Sequence, residues 1–165
     1  DKLDLVAQKA TELGASGIWA YPADWSVVKW DGKKLAKKVE KLEKIVLGAA
    51  EQSKRNRLPD IRLFDKKADF LAQLTDFDKV FIAYEESAKA GEMARLAQEL
   101  QAVEAKQKIL FIFGPEGGIS PKEIEAFEQA GGIPVGLGPR ILRTETAPLY
   151  ALSAVSYAVE LNQTH

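Results

Sequence analysis

The sequence contains no cysteine, and its one histidine, His165, is the last residue. Disulfides, thiolate metal ligands and cysteine nucleophiles are therefore excluded, and a histidine base or ligand would have to rely on a frayed end. A carboxylate-only magnesium site is the one metal option left, and we expect no metal. The sequence also lacks an apolar run near the ~20 residues that a membrane-spanning helix needs, and a signal segment at its start. We expect a cytoplasmic protein with no membrane partner.

The familiar glycine motifs of nucleotide-binding proteins are missing as well. Gly136-Leu137-Gly138 is followed by Pro139, Arg140 and Ile141, which does not complete G-x-G-x-x-G. The phosphate-binding pattern G-x-x-x-x-G-K-[ST] does not occur in the sequence. A dinucleotide or triphosphate site of the usual kind is therefore disfavoured.

Positive charge is concentrated in one part of a chain whose formal net charge is −1. Residues 29–57 contain ten lysines and arginines against four acidic residues. Such asymmetry suggests a patch that faces a polyanion, with Lys33, Lys37 and Lys41 on one helical face. The alternative is an ordinary solvated face of a charged helix, and the sequence leaves both open.

Helical and strand-like patterns alternate along the 165 residues, a length that fits one domain. Alternation of this kind predicts an α/β fold with a mostly parallel sheet. The predicted strands are 17–21, 59–64, 79–84, 108–113 and 133–137, and the predicted helices are 2–13, 31–55, 67–74, 91–103, 121–130 and 146–162.

Loops follow three of these strands at their carboxyl ends, where parallel sheets bind ligands. One loop begins at Glu85. Another, Gly114-Pro115-Glu116-Gly117-Gly118, contains three glycines, which allow tight turns and close approach of a ligand. This composition favours a pocket over a plain strand-to-helix turn.

The third loop, 137–147, has the sequence LGPRILRTETA. Ile141 and Leu142 are apolar in polar surroundings, as expected of residues that line a cleft. Arg143 precedes a helix start at Thr144 or Thr146, whose free N–H groups favour anions. The alternative for Arg143 is a purely structural ion pair with Glu145 or Glu116.

Two further segments carry groups suited to RNA. In 51–57, EQSKRNR, polar groups and cations crowd into the predicted end of a helix, and arginine can bind phosphate or a base edge with two hydrogen bonds. In 24–30, DWSVVKW, Trp25 and Trp30 belong to the core, to an interface or to a base-stacking surface.

Taken together, EQSKR, GPEGGIS with its downstream Glu123, and LGPRILRTETA resemble the characteristic segments of the 16S ribosomal RNA uridine-N3 methyltransferase family, RsmE. KATELG and SVVKW match that family too, and the resemblance covers essentially the whole chain. It implies a SPOUT-type α/β knot, with helices on both faces of a mostly parallel sheet and a C-terminal trefoil knot. It also implies a homodimer that uses S-adenosyl-L-methionine and acts on 16S ribosomal RNA or the small ribosomal subunit. Residues 1–165 would form a single methyltransferase domain without the PUA-like β-barrel of the family.

The resemblance also implies roles for individual residues. Arg143 first, and Arg140 second, would stabilise negative charge on uracil O2 and O4, while Glu116, or less favourably Glu145, would accept the N3 proton. The methyl donor would be held by Tyr84, Glu85, Gly114, Pro115, Glu116, Gly117, Gly118, Leu137, Gly138, Ile141 and Leu142. RNA would be bound by Gln52, Ser53, Arg55, Arg57, Lys33, Lys37 and Lys41.

Three other functions remain open at this point. The same fold can modify transfer RNA or a ribose 2′-hydroxyl. The chain can instead be a catalytically silent RNA-binding module that depends on the basic helix, or an α/β domain that binds a metabolite and no RNA.

Overall fold

The computed structural model describes residues 1–26, 31–84 and 94–162. Helices and strands alternate in it as predicted, with most boundaries within about two residues of those expected. The helices are α1 Lys2–Glu12, α2 Gly32–Gln52, α3 Lys67–Ala72, α4 Arg95–Gln101, α5 Pro121–Gln129 and α6 Ala147–Ser156, with a 3₁₀ turn at Leu74–Asp76 and a π-helical turn at Tyr157–Leu161. The strands are β1 Gly17–Ala20, β2 Asp60–Leu63, β3 Lys79–Ala83, β4 Ile109–Ile112 and β5 Gly132–Val135.

All strand pairs are parallel, but among the described residues they form two sheets instead of one. β1 pairs with β2, and β3 lies between β4 and β5. In the larger sheet Ile82 pairs with Ile112 of β4 and with Pro134 of β5, so the three carboxyl ends lie at one edge. The Tyr21 hydroxyl, just beyond β1, donates to the carbonyl of Phe113 at 3.2 Å and links the two sheets there.

Helices cover both faces of the larger sheet, as expected. Along β3, Val80 and Ile82 point to one side, into a core that includes Phe70 of α3 and Phe127 of α5. Phe81 points to the other side, into a core formed with α4 and α6. The alternation follows from the two-residue period of a strand that is buried on both faces.

A third core joins α1 and α2 to the smaller sheet. Ala7 and Ala10 of α1 pack against Leu42 and Val46 of α2, all at most 3% exposed. Small side chains on α1 allow the two helices to approach closely. Leu152 of α6 also contacts this core and so connects it with the C-terminal part of the chain.

The start of α5 confirms the predicted capping box. The Ser120 hydroxyl accepts from the Glu123 N–H at 3.2 Å, and Glu123 Oε1 accepts from the Ser120 N–H at 3.0 Å, with Pro121 following the cap. Glu123 is buried, and its second oxygen accepts from the Asp24 N–H at 3.0 Å and pairs with Lys67 at 2.9 Å. These contacts fasten the segment after β1 to the loop after β4.

Candidate active site at the carboxyl ends of the strands

The loops after β3, β4 and β5 begin side by side at one sheet edge. Tyr84 extends the pairing of β3 by one residue, because its N–H donates to the carbonyl of Val135 at 3.1 Å. Gly114 and Gly136 lie just beyond the neighbouring strands. Three predicted binding segments are thus brought together, although Glu85 and the rest of its loop lie outside the described residues.

The loop 114–120 is held in shape by its own packing. A Cβ on Gly114 would lie 2.7 Å from Ile119 Cγ1 and 3.0 Å from the backbone of Gly118, so no larger residue fits without movement. The Gly118 N–H closes a turn onto the Pro115 carbonyl at 2.8 Å, and Gly118 has a φ of +90°. Packing within the molecule therefore accounts for glycines that the sequence suggested were there for a ligand.

The loop 136–146 presents an apolar side chain to solvent beside two cations. Ile141 is 83% exposed, whereas Leu137 and Leu142 are half-buried. Gly138 has a φ of +87°, and a Cβ there would lie 3.1 Å from the hydroxyl of Tyr150. The Arg143 carbonyl accepts from the N–H groups of both Thr146 and Ala147 at 3.0 Å, which begins α6.

Both arginines of this loop point to solvent. Arg140 and Arg143 are exposed, and within residues 1–26, 31–84 and 94–162 neither makes a side-chain hydrogen bond or an ion pair. The structural ion pair considered for Arg143 is therefore not formed in the described part of the chain. Its charge acts on Glu116 only at a distance, as a minor contribution to the lowered pKa of that carboxyl.

Lys2 of α1 links the two glycine-containing loops. Its ammonium forms an ion pair with Glu116 and lies 3.3 Å from Oε2 of Glu145, so it connects one loop with the other. The hydrogen bond from Lys2 is the main cause of the lowered pKa of Glu116, and Glu116 in turn raises the pKa of Lys2. Glu116 is therefore ionised at neutral pH.

A second concave region lies at the opposite end of α1. A cleft of about 300 Å³ is lined by residues of the last turns of α1 and α2, namely Gln8, Lys9, Glu12, Gly48, Ala49 and Gln52. The segments KATELG and EQSKR meet here. The cleft residues of α1, from Gln8 to Glu12, lie about 9–15 Å along the helix from Lys2.

Two of the predicted RNA-binding residues have structural partners in this region. Arg55 is half-buried and donates from Nη1 to the carbonyls of Thr11 and Ala15 at 3.0 and 2.8 Å. The Ser53 hydroxyl donates to the Ala49 carbonyl at 2.7 Å and helps to end α2. Gln52 and Arg57 are exposed.

Some lysines of α2 likewise have structural partners, whereas others are only exposed. Lys33 and Lys37 are exposed, and within the described ranges no ion pair involves them. Lys41 is also exposed but forms an ion pair with Asp4 of α1 at 2.6 Å. Lys38 joins the same carboxylate at 3.1 Å, so part of the basic stripe fastens α1 to α2.

No group of three or more histidine, aspartate or glutamate residues in the part of the chain that the structure describes is arranged to hold a metal ion. Nor does any helix in the described ranges have the length and apolar character needed to cross a bilayer.

Comparison with known proteins decides the family. A family model described as "RNA methyltransferase domain" matches residues 1–156. The chain belongs to this RNA methyltransferase domain family. Ribosomal RNA small subunit methyltransferase E of Bacillus subtilis (strain 168) is 48% identical over 161 residues, covering 98% of this chain and 63% of that protein.

Solved structures show the same methyltransferase fold. The ribosomal RNA small subunit methyltransferase E of Neisseria gonorrhoeae, bound to S-adenosyl methionine, has a TM-score of 0.75 and 31% identity, over 95% of this chain and 62% of that one. A Legionella pneumophila protein solved with bound SAM has a TM-score of 0.79 and 31% identity, over 96% and 62%. The chain thus has the RsmE-type methyltransferase domain and spans a little under two thirds of the length of these relatives.

One side chain of this methyltransferase domain was missed by the sequence reasoning about the site, and another was noted without a definite place. Lys2 lies 114 positions from Glu116 along the chain, and nothing in its local pattern marks it. Trp25 was recognised as an aromatic residue without a place, and the structure puts it against Gly117 and Gly118. The predicted partner tryptophan, Trp30, lies outside the described residues.

Proposed function

We propose that this chain is the methyltransferase domain of an enzyme that uses S-adenosyl-L-methionine to methylate N3 of a uridine in 16S ribosomal RNA. The observation that carries the proposal is that motif and geometry coincide at one sheet edge. GPEGG follows β4 and RILRTETA follows β5, on either side of the end of β3. The relative from Neisseria gonorrhoeae, bound to S-adenosyl methionine, matches the fold over 95% of this chain.

The residues at this edge suit such a cofactor. A nucleoside that carries an amino-acid tail needs backbone donors and acceptors for its polar edges and apolar side chains for its ring. The strand-end loops offer both, with exposed Ile141 beside half-buried Leu137 and Leu142. When bound, the cofactor supplies a methyl group activated by a sulfonium sulfur. We assign it to the predicted set of Tyr84, Glu85, Gly114, Pro115, Glu116, Gly117, Gly118, Leu137, Gly138, Ile141 and Leu142.

Arg143 is assigned to the charge that forms on the substrate. Uracil N3 is a weakly acidic imide, and loss of its proton places negative charge on O2 and O4. A guanidinium directed at those oxygens stabilises that charge through two hydrogen bonds. The exposure of Arg143 and Arg140 supports this role, because neither is used by an ion pair within the described residues.

Glu116 remains the proposed proton acceptor, with Glu145 as the alternative. The ion pair with Lys2 lowers the pKa of Glu116 and keeps its carboxylate ready to accept a hydrogen bond from N3–H. The same shift weakens Glu116 as a base. Stabilisation of the developing charge by arginine is therefore expected to matter more than the basicity of the carboxylate.

Calorimetric titration of the chain with S-adenosyl-L-methionine tests the donor site. We expect saturable binding, and its absence would exclude the site. Incubation with 16S ribosomal RNA and labelled donor, followed by mass analysis of nucleosides, tests the reaction. N3-methyluridine is the expected product, whereas a 2′-O-methylated nucleoside or label only in transfer RNA would favour another substrate.

The same proposal includes a knotted C-terminus and a dimeric state. We expect the C-terminal helix to pass through a preceding loop as a trefoil knot, and the chain to form a homodimer in the cytoplasm. The dimer is supported by exposed apolar side chains on α1 and the C-terminal helix, namely Leu5, Tyr150, Tyr157 and Leu161. A monomer in sedimentation equilibrium at micromolar concentration would contradict it.

A further inference from the structure

Trp25 lies directly on the proposed cofactor loop while half of its side chain remains exposed. Its exposed fraction is 50%. A Cβ on Gly117 would lie 3.3 Å from both the Cβ and the carbonyl oxygen of Trp25, and one on Gly118 would lie 3.8 Å from the indole ring. The tryptophan therefore lies against the glycine pair while half of its surface remains exposed.

The backbone next to Trp25 is fixed by a hydrogen-bond network. The Asp24 N–H donates to Glu123 at 3.0 Å, and the Ser120 hydroxyl donates to the Asp24 carboxylate at 2.6 Å. Lys67 forms an ion pair with the same carboxylate and is the main cause of its lowered pKa. The place of the indole beside the loop is thus set before any ligand binds.

Trp19, in contrast, has an indole ring that contacts other side chains of the molecule. Its ring meets Phe64 and Phe77 edge to face at 5.6 and 5.5 Å, and the Arg62 guanidinium lies 4.9 Å from its centroid. No comparable ring or cation contact involves Trp25 among residues 1–26, 31–84 and 94–162. Within the described residues, the exposed half of Trp25 is thus left to meet a planar ligand.

We propose that the exposed face of Trp25 stacks on an unpaired base of the RNA substrate, beside the site of methyl transfer. This inference rests on the proposed function. Proteins that bind single-stranded RNA use exposed aromatic rings in this way, since every base has a π-face. A nucleobase is favoured over an apolar protein surface because the glycines against which Trp25 lies belong to the proposed methyl-transfer site.

The test compares Trp25→Ala and Trp25→Phe with the unmodified chain, using a uridine-containing single-stranded RNA oligonucleotide as the probe. We expect Trp25→Ala to weaken RNA binding by about 5- to 100-fold and Trp25→Phe to retain most of it, because a smaller ring still stacks. RNA should quench the tryptophan fluorescence of the unmodified chain, and this quenching should diminish in Trp25→Phe. Affinity for S-adenosyl-L-methionine is measured in parallel, and Trp25→Phe should retain it because a ring still lies against Gly117 and Gly118. Leu58→Ala, which truncates another exposed apolar side chain (57%), is the matched control.

Each other outcome has a defined meaning. Undiminished RNA affinity in Trp25→Ala, with normal donor binding, would overturn the stacking role and leave the proposed function intact. A change in sedimentation without a change in RNA affinity would assign Trp25 to a subunit contact and also overturn it. If the unmodified chain binds neither RNA nor the methyl donor, the proposed function fails, and this inference fails with it.

Discussion

Arg55 and Arg143 are both arginines beside a helix end, yet the molecule uses them differently. Arg55 is half-buried, and its guanidinium donates hydrogen bonds to the carbonyls of Thr11 and Ala15 at the junction of α1 and α2. Arg143 is exposed at the carboxyl ends of the strands, without a hydrogen-bonded partner in the described part of the chain. The helix pair thus uses cations to hold itself together, whereas the strand-end loop leaves a cation exposed and unpaired within the described residues.

The largest effect that this contrast predicts is a loss of catalytic rate in the Arg143→Ala variant. Loss of one group that stabilises developing negative charge typically lowers turnover by ~10²–10³. Methyl transfer to 16S ribosomal RNA should therefore fall by that factor, while calorimetric affinity for S-adenosyl-L-methionine stays near normal. Single-turnover transfer of a labelled methyl group measures the effect, and an unchanged rate would remove Arg143 from the mechanism.

Gly114→Ala should have the next largest effect, on the shape of the strand-end site. The added methyl would lie 2.7 Å from the buried Ile119 side chain and 3.0 Å from backbone atoms, so the loop must move. Overpacking of this kind costs about 1–3 kcal/mol of stability. We expect a lower urea midpoint, together with weaker binding of the methyl donor.

Gly48→Ala is the matched control for that substitution. Gly48 lies inside α2, and a Cβ there meets no atom within 4 Å. The same change should therefore raise stability by about 0.5–1 kcal/mol, because alanine favours a helix. An unchanged urea midpoint in Gly114→Ala would mean that the loop tolerates a side chain at Gly114 and that its glycine serves another purpose.

A third prediction is that substitutions of Arg55 and of its neighbour Arg57 differ in their effects on stability and on RNA binding. Arg55→Ala removes two hydrogen bonds to backbone carbonyls and should cost about 1–2 kcal/mol of stability, as partial exposure reduces the value of charged hydrogen bonds. Arg57 is exposed, so Arg57→Ala should change stability by less than about 0.5 kcal/mol. If Arg57 binds phosphate, its loss should reduce the salt dependence of RNA binding by about one unit of slope. Urea unfolding and RNA titrations at several salt concentrations measure the two effects.

The opposite pattern would reverse the comparison between the two regions. A stable Arg55→Ala variant with weakened RNA binding would mean that Arg55 turns away from its carbonyl partners to meet RNA. In that case the α1–α2 junction, like the strand ends, would use its arginine as a ligand contact.

Local features of the fold were predictable because neighbouring residues determine them. The capping box at Ser120 depends on residues three positions apart, and the sequence predicted it correctly. The end of α2 was placed too late, because the Ser53 side chain bonds back to Ala49 and Lys54 adopts a φ of +61°. Neither property is visible in the apolar spacing on which the prediction relied.

Long-range contacts explain what the sequence could not show about the site. The glycines of GPEGG suggested close approach of a ligand, but the space at Gly117 is taken by Trp25, which lies far away in the sequence. The link from Lys2 to Glu116 likewise depends on α1 being packed near the strand ends. Composition pointed to loops that the fold brings to one sheet edge, whereas only the assembled fold shows which groups in them are exposed.

The smallest predicted effect concerns Asp4, the carboxylate of α1 that pairs with lysines of α2. Burial opposes ionisation of Asp4, but hydrogen bonds from Lys41 and Lys38 outweigh it and lower its pKa from 3.8 to about 2. Because the folded-state pKa lies below the unfolded value, the carboxylate stabilises the fold above about pH 4, and this contribution is lost as the pH falls towards 2.

The difference in unfolding free energy between the unmodified chain and Asp4→Asn should thus be constant near neutrality, under about 1 kcal/mol, and vanish near pH 2. Glu43→Gln, on the exposed face of α2, is the matched control for removal of a carboxylate. A difference for Asp4→Asn that persists at pH 2 would mean that packing, and not charge, makes Asp4 important, and that Lys41 is free to bind RNA after all.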